Sequence, residues 1–320
     1  MRLPPLLALL LALGLSAPVV VPMQSFAQSS EIPPLPRPRP DPDAVSAPTT
    51  GGTEATSAAS QAIETLTTTP QPVILNATIT QGGELITEGL TWRVFESLPD
   101  ANGEIAMVAK AERGTATLEI PPGEYVVHVA YGRAQASEPL SVLVGSNEKT
   151  FVLDAGALRL NAAVVGDIPI PSNLLKFDIY SGNEEGRILL AENASPNEII
   201  TLNSGTFHIV SKFGTINATV RADLKIEAGQ LTDATLYQRA SQVSFKLVSE
   251  AGGEAIADVD WTVTTPEGTT LFTELGAFPA TVLGEGEYVV IAKQGVQVFN
   301  RDFEVLPGAS KEIEVLTSVY

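Results

Sequence analysis

His128 and His208 are the only imidazoles in this 320-residue chain, and no cysteine accompanies them. A general base or a metal-binding imidazole needs a carboxylate or a second ligand beside it, and no local spacing supplies one to either histidine. Without cysteine there is no thiolate nucleophile, no disulfide and no cysteine metal site. Asp100-Ala-Asn-Gly-Glu104 sets oxygen-bearing side chains at alternate positions, as calcium loops do. It lacks the spacing and the closing glutamate of an EF-hand. Asn183-Glu-Glu-Gly186 reads as an acidic turn. Asn76-Ala-Thr78 and Asn217-Ala-Thr219 match the glycosylation pattern, but both fall in stretches that read as strands. Nucleophile elbows and phosphate-cradling glycine loops are missing in usable context. The expectation is a chain that is not an enzyme, with no catalytic, cofactor-binding or metal residues and no cofactor.

The element that positions these side chains is a repeated hairpin. Pro121-Pro-Gly-Glu124 opens a run in which Tyr125, Val127, Val129 and Tyr131 alternate with Val126, His128 and Ala130. Period-2 alternation after a Pro/Gly turn predicts a half-buried strand. The phrase returns at Asn203–Gly214 and at Gly284–Gly295, with Gly123, Gly205 and Gly286 in register. Two residues on stand Tyr125, Phe207 and Tyr288, and nine on stand Gly132, Gly214 and Gly295. Both histidines lie on the second face of this strand. His128 corresponds to Val210 and Ile291, and His208 to Val126 and Val289, so the positions are expected to be partly exposed packing sites. Trp92, Phe177 and Trp261 are likewise equivalent, and an aromatic at one place in every copy predicts a core plug rather than a sugar-stacking face. Phe151, Tyr237 and Phe299 are less constrained and are expected nearer the surface.

Around this hairpin the chain divides readily. Met1-Arg2, an apolar stretch from Leu3 to Met23 and Ser25-Phe-Ala27 predict a signal peptide over 1–27, cleaved before Gln28; the alternative is a retained anchor. Residues 28–72 form a Pro/Ser/Thr-rich linker, with polyproline II favoured in Pro33–Pro42 and too few large apolar groups beyond to fold. Three modules follow, at 73–156, 157–240 and 241–320, each with six or seven short strands, which is the pattern of a β-sandwich. The fold class is therefore all-β, with tandem immunoglobulin-like or prealbumin-like sandwiches. The net charge is −18. Acidic over basic residues count 11 to 5, 9 to 7 and 12 to 4 in the three modules, giving −6, −2 and −8. Such a chain repels nucleic acid and anionic lipid.

The Leu118–Gly132 stretch, a leucine, a Pro-Pro-Gly-Glu turn, Tyr-Val-Val and a closing glycine, resembles bacterial carboxypeptidase-regulatory-like domains, which are transthyretin-like sandwiches. The family's usual Asp-x-x-Gly-x-Phe strand before the hairpin is missing here. The resemblance implies a non-catalytic accessory of the bacterial surface or periplasm. Export and tandem sandwiches together predict a periplasmic or secreted structural or interaction protein, without membrane insertion once the signal is removed. Its expected partner is an envelope protein or glycan. The alternative is an array of carbohydrate- or small-ligand-binding modules. The short connections Asp154–Ala157 and Gln238–Gln242 predict modules strung end to end as independently folding beads.

Overall fold

The structure, a computed structural model, describes residues 60, 65, 68–182 and 186–317. The chain divides into two compact units, Met1–Gly52 and Thr53–Tyr320, and every described residue belongs to the second. The expected signal peptide at 1–27, the Pro33–Pro42 segment and most of the 28–72 linker lie outside the described residues, as do Asn183–Glu185.

The described residues form an all-β chain of tandem sandwiches, as the alternation implied. The first comprises β1 (Gln71–Thr78), β2 (Leu90–Glu96), β3 (Met107–Glu112), β4 (Ala116–Ile120), β5 (Gly123–Tyr131), β6 (Ala134–Val142) and β7 (Asn147–Val152). Its sheets have the orders β3-β2-β5-β6 and β4-β1-β7. The second comprises β8 (Ala155–Val164), the short β9 (Ile168–Pro169), β10 (Leu175–Ser181), β11 (Ile188–Ala194), β12 (Ile199–Asn203), β13 (Gly205–Phe213), β14 (Ala218–Ile226) and β15 (Leu231–Gln238). There the orders are β11-β10-β13-β14 and β12-β8-β15, with β9 also on β8. In the third are β16 (Ala240–Val248), β17 (Asp260–Thr264), β18 (Thr270–Leu275), β19 (Ala280–Gly284), β20 (Gly286–Gln294), β21 (Gln297–Val305) and β22 (Lys311–Leu316), ordered β18-β17-β20-β21 and β19-β16-β22.

In each sandwich the first and last strands pair in parallel: β1 with β7, β8 with β15, β16 with β22. A parallel pair means that the chain enters at one pole and leaves at the other, so the next sandwich starts where the last one ends. β1 begins at Gln71, paired with Ile120, two residues inside the stretch assigned to the linker.

Between the sheets the alternating residues meet as three cores. Trp92, Tyr125, Val127, Val129 and Phe151 pack together in the first; Phe177, Phe207 and Ile209 in the second; Phe245, Trp261, Tyr288 and Val290 in the third. A buried indole N–H needs an acceptor. Trp92 Nε1 donates to the Gly114 carbonyl at 3.1 Å and Trp261 Nε1 to the Gly276 carbonyl at 2.8 Å. Phe151 corrects the sequence expectation. It is fully buried, edge-on to Trp92 with ring centroids 5.4 Å apart, because β7 joins β1 in the sheet facing the tryptophan. Phe299 is half-buried against the third core, and Tyr237 is exposed.

Candidate functional site

The hairpin strand β5 and its counterparts β13 and β20 carry every residue that could do chemistry at the repeated positions. His128 is half-buried on β5, with Nδ1 2.9 Å from Ser137 Oγ. Burial, helped by the nearby Arg93 charge, holds its pKa below the ordinary imidazole value, so it is neutral at pH 7. His208 has a carboxylate partner that the sequence did not reveal. The β13–β14 register sets it opposite Asp223, with Nδ1 and Oδ1 2.8 Å apart and the Tyr180 ring against its side. The pair is 15 residues apart in sequence, a distance at which only strand register, not motif spacing, brings groups together. It is an imidazole held by a carboxylate, and its buried Nε2 has no hydrogen-bond partner.

Asp100 turns inward on its own loop. Its Oδ1 accepts the backbone N–H groups of Asn102 and Glu104 at 2.8 and 2.9 Å, and these hydrogen bonds hold its pKa below the usual carboxylate value. That is the geometry of an Asx turn, and among the described residues no cluster of three metal-ligating side chains exists. Asn76 is buried in β1, where its amide donates to Glu148 at 3.0 Å and its carbonyl accepts from Thr115. Asn217 lies in the loop between β13 and β14, not in a strand as the sequence suggested.

A cavity of about 570 Å³ opens beside β20 and β21, lined by Pro266, Glu287, Tyr288, Val289, Asp302, Phe303 and Glu304. Glu287 and Glu304 stand directly opposite each other across the hairpin. Like charges at paired strand positions are unfavourable, so this wall favours cationic over anionic neighbours.

The most built feature on the molecule is the contact between successive sandwiches, and it is made twice with equivalent parts. The tip of the β5–β6 hairpin meets β12 of the second sandwich. Arg133 N–H donates to the Thr201 carbonyl at 3.1 Å. The Asn203 side chain clasps Gln135, accepting from its N–H and donating to its carbonyl, both at 3.0 Å, and also donates to the Leu153 carbonyl. The tip of the β13–β14 hairpin meets β19 of the third sandwich, which is the counterpart of β12. Here the asparagine sits on the tip: Asn217 accepts the Gly284 N–H at 2.9 Å and donates to the Tyr288 hydroxyl at 2.8 Å. That hydroxyl in turn donates to the Gly284 carbonyl. Val164, Phe213 and Ala218 of the second sandwich bury against Ala240 and Val282 of the third. The expectation of independent beads is therefore revised, because these two sandwiches share a small core. Glycine at the tip is required twice over. Gly132 and Gly214 have φ of +59° and +71°, and a Cβ there would lie 3.1 Å from Thr201 Cβ and 2.7 Å from Val282 Cβ.

Residues 242–317, nearly all of the third sandwich, match the family model for the Rhizobiales growth-associated tandem repeat domain. No curated protein matches the chain. Among solved structures, the Bacillus anthracis TIE protein aligns over 78% of this chain and 50% of its own at 16% identity and a TM-score of 0.22, so the chain spans about half the length of that protein. A Streptococcal ancillary pilin aligns over 78% of this chain and 100% of its own, at 11% identity and a TM-score of 0.29. A minor pilin of the gram-positive pathogen Streptococcus agalactiae aligns over 53% and 94%, at 13% identity and a TM-score of 0.30. At that level of superposition none of the three bears on function. What the family match places on record is that the third sandwich is similar to a tandem repeat domain.

Proposed function

We propose that this chain is an exported, non-catalytic scaffold of the bacterial envelope, presenting three linked sandwiches to an envelope protein or glycan. The observation that carries the reading is where the molecule puts its aromatic and hydrogen-bonding groups. Trp92, Phe177 and Trp261 fill cores, while His128 meets a hydroxyl, that of Ser137, and His208 a carboxylate, that of Asp223, so neither recorded contact joins hydroxyl, imidazole and carboxylate. The most elaborate polar contacts instead join one sandwich to the next. A sugar-binding array needs exposed aromatic platforms; the repeated ones are buried, which favours scaffold over lectin. The resemblance of the hairpin to carboxypeptidase-regulatory-like accessory modules supports the same reading. So do the charged start, apolar stretch and Ser25-Phe-Ala27 of the N-terminal segment.

Fractionation with intact-mass measurement tests the export half. The expected species is a soluble envelope protein beginning at Gln28. A full-length mass in the membrane fraction would replace secretion by anchoring, and a full-length mass in the cytoplasm would end the reading.

A further inference from the structure

The hairpin tip of the third sandwich repeats the tip that docks the first, and no described residue covers it. Both are two-residue turns, Gly132-Arg133 between Tyr131 and Ala134 and Gly295-Val296 between Gln294 and Gln297, and their glycines have φ of +59° and +58°. A Cβ on Gly295 would meet nothing within 4 Å, whereas one on Gly132 would press on Thr201. Val296 takes the place of Arg133 and Val298 the place of Gln135. They are 98% and 60% exposed, and Leu275, which shares a row of the sheet with Val298 through Asp260 and Lys293, is 66% exposed. β21 is an edge strand. In a two-residue antiparallel hairpin the pair next to the closing pair is non-hydrogen-bonded. The N–H and C=O of Val298 therefore point to the open edge, as those of Gln135 do where Asn203 clasps them.

The chain's own first sandwich does not fit this end. The strand position that is Thr201 in the second sandwich and Val282 in the third is Glu119 in the first, and it is exposed. The clasp position held by Asn203 is Pro121 there, which has neither an amide side chain nor an N–H, and whose carbonyl already accepts the Tyr125 hydroxyl. With −8 on the third module and −6 on the first, electrostatics oppose the same pairing.

We propose that the Gly295-Val296 tip is a docking end for a β-sandwich module other than the three of this chain. That module would present a strand with an uncharged residue facing Gly295 and an asparagine two residues further on, where it would clasp Val298 as Asn203 clasps Gln135. A second copy of this chain is excluded as the occupant by Glu119 and Pro121.

Sedimentation velocity on the full chain tests this. The unmodified protein is expected to remain monomeric. E119T/P121N gives the first sandwich the Thr201/Asn203 pattern, and it is expected to form head-to-tail dimers and larger species with rising concentration. Adding V296P, which removes the N–H that Arg133 uses on the Thr201 carbonyl, should return it to monomer. P121N alone leaves β4 untouched, guards against a folding defect in the double variant, and should associate more weakly. Either variant remaining monomeric while melting like the parent would overturn the proposal, and so would self-association of the parent. The readout concerns the tip alone, so failure here leaves the export reading standing.

Discussion

Trp92→Ala is expected to remove the first sandwich from the folded ensemble at moderate temperature while the other two remain folded. The side chain is fully buried, holds an edge-on contact with Phe151 and anchors the Gly114 carbonyl. Truncating a buried tryptophan costs about 3–5 kcal/mol. A domain of this size has about 5–15 kcal/mol in total and sits toward the low end. At about 4–8 °C per kcal/mol for such a domain, the first transition should fall by on the order of 20 °C. Differential scanning calorimetry should show that shift in one component. The second and third sandwiches should keep a joint transition near its original position, because they bury Phe213 and Val282 in one cluster. An unchanged profile would mean that Trp92 is not the plug of its core. A shift of the entire profile would mean that all three sandwiches unfold as one.

The second large effect concerns the hairpin tips, where three equivalent glycines face three different surroundings. Gly214→Ala places an L side chain at φ +71° and its Cβ 2.7 Å from Val282 Cβ. The left-handed backbone costs roughly 1–2 kcal/mol, and forcing a methyl into a filled contact adds about 1–3 kcal/mol. Gly295→Ala meets the same backbone strain in open space, so only the first cost applies. Gly132→Ala should fall between them, since Thr201 Cβ is 3.1 Å away and needs to give by only a few tenths of an ångström. Thermal denaturation of the three variants should therefore rank the losses 214, then 132, then 295. Equal losses at Gly214 and Gly295 would show that the tip contact contributes nothing to stability.

Much of this architecture is legible in the sequence because a strand announces itself by alternation. The Tyr125, Phe207 and Tyr288 series faces inward as the period demands, and Trp92, Phe177 and Trp261 fill the cores that their equivalence implied. What failed to show was everything set by pairing rather than by pattern. Phe151 looked unconstrained because its partner strand β1 lies 74 residues away, and the parallel β1–β7 register brings it beneath Trp92. Asp223 reaches His208 only through hairpin register. Asn203 reads as an ordinary turn residue, since asparagine near glycine satisfies a turn by itself, and Asn217 as a strand residue. Their function at the contacts depends on which backbone groups the neighbouring sandwich leaves open, and one sequence does not encode that locally.

Residue-resolved hydrogen exchange on the full chain tests the docking of tip on strand most directly. The Gly284 amide is bonded to Asn217 Oδ1 and the Arg133 amide to the Thr201 carbonyl, each across the boundary between two sandwiches. Both are expected to exchange slowly in the native chain, and Asn217→Ala should release the Gly284 amide while core amides such as that of Val127 stay protected. Exchange of Gly284 and Arg133 at the rate of an open loop in the unmodified protein would show that the tips do not dock, and the scaffold of linked sandwiches would be contradicted.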